Sequence, residues 1–151
     1  MKTLLAQLKA DHPQLNFVGG DVCRWSPDTQ TVVYVDSDQT ANVAQVLHEV
    51  GHAQLGHSSY RLDIDLLRME REAWEKARTI APDYNLTIDD DTIEDDLDTY
   101  RDWLHARSCC PECSATGIQT KHLTYQCMAC QTTWRVNEAR LCALRRYKDQ
   151  Y

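Results

Sequence analysis

The segment LHEVGHAQLGH, residues 47–57, contains two histidines and a glutamate in the order H-E-x-x-H. On a helix, His48 and His52 lie one turn apart, so both imidazoles can bind one Zn²⁺, and Glu49 can accept a proton from a water molecule on the metal. Zinc lowers the pKa of such a water towards about 7, which makes hydroxide available near neutral pH. The segment therefore predicts a zinc hydrolase centre with Glu49 as general base, and its natural use is the hydrolysis of a peptide bond.

A catalytic zinc usually has three protein ligands, and this motif supplies only two of them. His57 follows His52 by five residues, whereas the elongated pattern H-E-x-x-H-x-x-G-x-x-H places its third histidine about six residues on. The segment MEREAWEKA offers carboxylates instead, from Glu70, Glu72 and Glu75. Helical phase alone does not choose among them, because Glu70 and Glu72 flank the apolar stripe of their helix on opposite sides.

A second metal site is indicated by the pairs CPEC and CMAC, which form a C-x2-C-x13-C-x2-C pattern. Two such pairs present four thiolates tetrahedrally, which is typical of a structural zinc ribbon. Cys109 could replace the first ligand, but the C-x-x-C spacing favours its neighbour. The expected ligands of this structural zinc are Cys110, Cys113, Cys127 and Cys130.

The charge of the chain changes where the cysteine pairs begin. Residues 1–107 carry 10 Lys and Arg against 20 Asp and Glu, whereas residues 108–151 carry 6 against 3. We therefore predict a metallopeptidase domain over 1–107 and, over 108–151, a zinc ribbon that ends in a basic helix beginning at Asn137. The acidic first part argues against broad nucleic-acid binding there, so only the ribbon is a candidate for contacting nucleic acid or an acidic protein.

Composition places the chain among soluble proteins that do not associate with membranes. No uninterrupted apolar stretch of about 18 residues is present, and the first ten residues lack the features of a signal peptide. The chain contains seven cysteines, and an odd number without a signal peptide favours reduced thiols over disulfides. We expect a cytoplasmic protein.

Periodicity predicts an α+β fold with a small antiparallel sheet, and the metal motifs add a helical zincin-like core and a four-cysteine ribbon. Apolar residues at helical spacing predict helices over 2–10, 39–56, 61–80 and 89–107. Short runs between turn-forming residues predict strands over 16–18, 22–25 and 31–35. Residues 32–35 are expected to form an edge strand on which an extended substrate could add.

Three segments together resemble the ImmA/IrrE family of bacterial metallopeptidases: TVVYVDSD, LHEVGHAQLGH and EREAWEKA. In that family a strand precedes an H-E-x-G-H helix, and a downstream E-A-x-x-x-A segment supplies the third ligand. The resemblance covers roughly residues 15–80. It implies His48 and His52 as ligands, Glu49 as general base, and Glu72 as the third ligand, because Glu72 directly precedes Ala73.

The expected function is zinc-dependent endoproteolysis of a limited, regulatory kind, with one catalytic and one structural Zn²⁺. The resemblance implies an intracellular protein substrate, such as a DNA-binding helix-turn-helix repressor. One alternative is a SprT-like protease that acts on proteins attached to DNA, which would need a histidine as third ligand. Another is a non-catalytic adaptor that binds DNA or protein through its zinc ribbon.

Overall fold

The computed structural model describes residues 1–138 and 143–148, and over this part of the chain the fold is α+β. The described residues contain four α-helices, which begin and end within two residues of the predicted positions. These helices are α1 (Lys2–Asp11), α2 (Thr40–Leu55), α3 (Asp63–Ile80) and α4 (Asp90–Ser108). The helical periodicity of the sequence is thus confirmed.

The first sheet contains β1 (Asn16–Gly19), β2 (Arg24–Ser26) and β3 (Thr31–Tyr34), in the order β1-β3-β2. A 3₁₀ turn over Pro27–Thr29 joins β2 to β3 as an antiparallel hairpin. β1 instead runs parallel to β3, because β2 and its turn occupy the connection between them. The sheet is therefore mixed, which corrects the expected antiparallel one, and β3 is its central strand. The expectation of an edge strand over 32–35 is wrong, since β3 has a partner on both sides.

The second sheet is antiparallel, with the order β4-β5-β6-β7. Its strands are β4 (Gly117–Lys121), β5 (Thr124–Cys127), β6 (Thr133–Val136) and β7 (Arg146–Lys148). β7 corrects the predicted basic helix over its last residues, whereas residues 139–142 of that helix lie outside the described residues. The strand forms because β6 offers an open edge, and the Asn137 side chain bonds to Ala143 O and Arg145 N just before β7.

The chain divides into two compact units. The first comprises residues 1–59 and 68–95, and the second comprises residues 60–67 and 96–151. The predicted boundary at 107/108 falls inside the second unit and stays a prediction about independently folding domains.

In the first unit, α2 is buried on both of its faces from Val46 to His52. Its apolar face contacts β2 and β3, and Val46, Leu47 and Val50 are fully buried. The opposite face is covered by α3, and Gly51 allows the two backbones to approach closely. The histidine face of α2 is thus also buried in the interior of this unit.

The second unit has a small core made by the strands β5 and β6 and the cysteine pairs. Its buried members are Cys110, Tyr125, Cys127, Trp134 and Val136. The rings of Tyr125 and Trp134 stack with their centroids 5.7 Å apart, and the Trp134 indole donates to the carbonyl of Arg107 over 3.1 Å. A structural metal would add to a core of this modest size.

A buried ion pair also belongs to the second unit. The carboxylate of Asp63 accepts hydrogen bonds from Arg107 Nε and from the Tyr125 hydroxyl, each at 2.5 Å. Gln119 contacts the same residue twice, because its amide accepts from the Asp63 backbone N–H and donates to the carboxylate. Asp63 and Arg107 are almost completely buried, so each depends on the other for compensation of its charge.

Across the described ranges, no helix combines the length and the apolar character needed to cross a bilayer.

Candidate metal centres

Three ligand-type atoms converge between α2 and α3 in the first unit. His48 Nε2 lies 3.0 Å from His52 Nε2 and 3.0 Å from Glu70 Oε2, and His52 Nε2 lies 3.3 Å from the same carboxylate oxygen. All three side chains are buried, with relative exposures between 2% and 7%. The structure thus brings both predicted histidines together and adds one carboxylate to them.

The spacing of these atoms fits a tetrahedral metal ion. Nitrogen and oxygen ligands about 2.0 to 2.1 Å from Zn²⁺ lie about 3.3 Å apart at tetrahedral angles. Three pairwise distances of 3.0 to 3.3 Å are close to that value. Two imidazole nitrogens and a carboxylate are also the ligand set of many catalytic zinc sites. The residues present therefore fit the expected ion.

Glu70, not Glu72, is the carboxylate that lies against the histidine pair. Burial alone would raise the pKa of Glu70, but the hydrogen bonds and charges of His48 and His52 outweigh it and hold that pKa well below its usual range. The Glu72 side chain is 41% exposed and instead lies 3.4 Å from His57 Nε2. The structure therefore separates Glu72 from the site at which the family resemblance placed it.

The rotation of α3 about its axis decides which glutamate faces α2. Trp74 is fully buried, and its ring packs on the His48 imidazole with centroids 4.4 Å apart. Glu70 precedes Trp74 by one helical turn and therefore lies on the same face. Ala73 and Ala77 are also fully buried and complete this face. The burial of Trp74 against His48 therefore turns Glu70 towards the histidine pair.

Glu49 is 7% exposed and lies beside the histidine pair. Burial raises the pKa of Glu49 above its ordinary value of 4.5, although the charges of His48 and His52 oppose this shift. A backbone interaction with Trp25, on the edge strand β2, also opposes the rise of this pKa. A carboxylate with a raised pKa, held next to a metal site, is suited to accept a proton and to return it.

His57 lies on the other side of His52 from the three converging atoms. Its Nδ1 is 2.9 Å from His52 Nδ1, whereas Glu70 and His48 face His52 Nε2. Burial lowers the pKa of His57, the charge of His52 lowers it further, and Glu72 opposes both effects. The structure thus places His57 behind His52 and away from the three converging atoms.

The four predicted cysteines of the ribbon form a second cluster that could hold a metal ion. Sγ of Cys113 lies 3.5 Å from Sγ of Cys127 and of Cys130, and Sγ of Cys110 lies 3.6 Å from Sγ of Cys130. Thiolates about 2.3 Å from Zn²⁺ would lie about 3.8 Å apart at tetrahedral angles, whereas disulfide sulfurs lie about 2.05 Å apart. Cys109 is not in the cluster, because its sulfur contacts His105 instead.

The two cysteine pairs have the same local geometry. In each, the residue after the second cysteine donates its N–H to the carbonyl of the first, as Ser114 does to Cys110 and Gln131 to Cys127. Both of these residues have positive φ, 61° and 63°. Backbone N–H groups of Glu112 and Ala129 point at the sulfur of the first cysteine of their pair. Such donors stabilise negative charge on a thiolate.

No protein-family model matches the chain, and no curated protein or solved structure matches it either.

Proposed function

We propose that this protein is a zinc-dependent endopeptidase of the ImmA/IrrE type, with a zincin-like core and a structural zinc ribbon. The observation that supports this proposal is the convergence of His48 Nε2, His52 Nε2 and Glu70 Oε2 beside the buried carboxylate of Glu49. The motif alone supplies two ligands and a base, and Glu70 gives the site the third ligand that a catalytic zinc requires.

A bound Zn²⁺ would supply Lewis acidity and would make a water molecule acidic near neutral pH. The chain's own residues provide the rest of the chemistry. His48, His52 and Glu70 hold the ion, and Glu49 accepts the proton and returns it to the leaving amine. The raised pKa of Glu49 favours this second role, because a carboxylate with a higher pKa holds its proton longer at neutral pH.

The position of β2 at an edge of the first sheet supports a peptide as the substrate. β2 is an edge strand, and its Trp25 contacts Glu49 through the backbone. An extended peptide that adds to β2 by backbone hydrogen bonds would pass close to the general base. In this proposal β2 takes the substrate-binding role that was expected of residues 32–35.

The substrate class comes from the family resemblance alone, and we propose limited, regulatory cleavage of a cytoplasmic protein such as a helix-turn-helix repressor. Binding of nucleic acid through the zinc ribbon stays a prediction. The SprT-like alternative requires a histidine as third ligand, and the position of His57 behind His52 does not favour it. Retention of Glu49 in a buried site argues against a non-catalytic adaptor.

Metal stoichiometry of the parent protein and of two variants tests the metal site. We expect elemental analysis to find two zinc ions per chain in the parent protein and one in Glu70→Ala. Glu75→Ala is the matched control, because Glu75 lies on the same helix, is 59% exposed and pairs with Arg71. Loss of an ion from the control, or its retention in Glu70→Ala, would contradict the ligand assignment.

Proteolysis is tested separately with Glu49→Gln, which keeps the size of the side chain but removes the base. A bacterial cell lysate is incubated with the parent or with this variant, and the new protein N-termini produced in the two samples are compared. We expect cleavages that occur with the parent and are absent with Glu49→Gln, although both proteins hold two zinc ions. Equal cleavage by the two proteins, or none under any condition while the metal is bound, would overturn the peptidase assignment.

A further inference from the structure

His52 differs from His48 in what its second ring nitrogen contacts. His52 Nδ1 lies 2.9 Å from Nδ1 of His57. His48 Nδ1 is buried and has no hydrogen-bond partner among the described residues, and its ring is held instead by packing on Trp74. The contact with His57 is therefore a specific arrangement at one ligand and not a general feature of the site.

The contact continues from His57 to a carboxylate. His57 Nε2 lies 3.4 Å from Glu72 Oε2. His52 on α2, His57 just beyond the C-cap residue Gly56, and Glu72 on α3 therefore form a continuous series of contacts. The His57 side chain is only 10% exposed, whereas that of Glu72 is 41% exposed. This series of contacts thus starts at the buried metal site and ends near solvent.

A metal on His52 would fix the positions of the protons on His52 and on His57. Nε2 of His52 must be unprotonated to bind the ion, so the proton of this neutral ring lies on Nδ1 and is donated to His57 Nδ1. His57 then carries its own proton on Nε2, which faces the carboxylate of Glu72. Each donor therefore meets an acceptor, and no other assignment of two neutral rings satisfies both contacts.

The backbone around His57 holds this ring in place. Gly56 ends α2 with φ of 68°, and the N–H of His57 donates to His52 O over 3.0 Å. The carbonyl of His57 accepts a hydrogen bond of 2.8 Å from the Trp25 indole. A residue anchored at both its N–H and its carbonyl is suited to orient a neighbouring side chain.

We propose that His57 and Glu72 are positioning residues, which orient the His52 imidazole and raise its affinity for the metal without binding the metal themselves. This inference rests on the metal site of the proposed function. Partners of this kind fix the tautomer of a ligating histidine and increase its basicity, and their removal typically weakens metal binding about 10- to 100-fold.

Zinc titration of the chelator-stripped, full-length protein tests the proposal, with Co²⁺ spectra separating the thiolate site from the histidine site. We expect His57→Ala to weaken the histidine site about 10- to 100-fold and to leave the cysteine site unchanged. Glu72→Gln should weaken it less, and Glu75→Gln, on the same helix, should not. Folding of each variant is checked by circular dichroism.

His57→Asn distinguishes positioning from a structural role. The Asn amide oxygen can take the place of Nδ1 and accept from His52, so this variant should recover much of the affinity lost in His57→Ala. Because Asn does not reach Glu72, adding Glu72→Gln to His57→Asn should have no further effect. Equal affinities of folded His57→Ala and parent would overturn the proposed roles and leave the metal site intact. A parent that binds no ion at its histidines would overturn the metal site and the roles with it.

Discussion

The carbonyl oxygen of Ala73 on α3 lies 2.5 Å from the position that a Cβ atom on Gly51 of α2 would occupy. Real Cβ atoms do not come this close to a backbone oxygen, so only glycine fits at this point. Gly51 lies between Glu49 and His52, and Ala73 lies three residues after Glu70. The close approach of the two backbones therefore sets the distance between the two histidines and the carboxylate of Glu70.

Gly51→Ala is expected to destabilise the first unit, although alanine favours helix more than glycine does. The gain in helix propensity is at most about 1 kcal/mol, whereas overpacking of a close contact costs about 1 to 3 kcal/mol. Here the contact is a backbone atom, which cannot rotate away. Urea unfolding measures the effect, and Gln54→Ala, at an exposed position of the same helix, is the control. A Gly51→Ala protein as stable as the parent would contradict this account of the packing.

Asp63→Asn should be among the most destabilising single substitutions in the second unit. It removes the charge that compensates the buried guanidinium of Arg107, and breaking a buried pair in this way costs about 3 to 5 kcal/mol. The free energy of unfolding measures the effect. Asp98→Asn, which breaks an exposed pair with Arg101, should cost less than about 1 kcal/mol. Similar losses in the two variants would show that the buried network is not important for stability.

Cys113→Ser is expected to remove one zinc ion and to unfold the ribbon, because a segment with so small a core depends on its metal for folding. Cys109→Ser is the matched control, since Cys109 directly precedes Cys110 in the sequence but its sulfur contacts His105. Zinc content and the near-ultraviolet signal of the stacked Tyr125 and Trp134 rings report the two effects. Loss of zinc from the control would return Cys109 to the ligand set.

Tyr84 should make the stability of the protein sensitive to alkaline pH. Burial and a hydrogen bond to Asp11 raise the pKa of Tyr84 from 10.0 to about 12 in the folded state. Because the folded state holds this proton more tightly, the contribution of Tyr84 is complete below pH 10 and is lost as the pH rises through about 12. Urea midpoints measured across this range should fall more steeply for the parent than for Tyr84→Phe. Parallel curves would contradict the prediction, and Tyr147→Phe, at an exposed position, is the control.

The sequence predicted α1 to α4 well because each has a regular apolar period, whereas the basic helix predicted from Asn137 is replaced by β7 over its last residues. It also identified the two cysteine pairs and the histidine pair that the structure brings together, since their spacing is local and reflects the geometry of a turn or a helix. Strand positions were found for the same reason, but their order was not. Side chains alternate with a period of two in parallel and in antiparallel strands alike, so this pattern cannot show that β1 runs parallel to β3. β7 forms only because β6 offers an open edge.

The position of Glu70 beside the histidine pair and the buried ion pair could not be predicted from local patterns. Glu70 and Glu72 are two residues apart, and the choice between them depends on the rotation of α3, which the burial of Trp74 decides. Asp63 and Arg107 are 44 residues apart in the chain, and each has an ordinary role at a helix end when considered alone. Relations of this kind arise only from tertiary packing.

The matching geometry of the two cysteine pairs shows that the same type of turn occurs twice in the ribbon. The interval of thirteen residues between the pairs is then set by the length of the β4–β5 hairpin and not by the metal. A hairpin with one more residue in each strand would move its turn outwards and leave both pairs in place. Related chains should therefore be sought with the two pairs held fixed and the interval between them varied in steps of two.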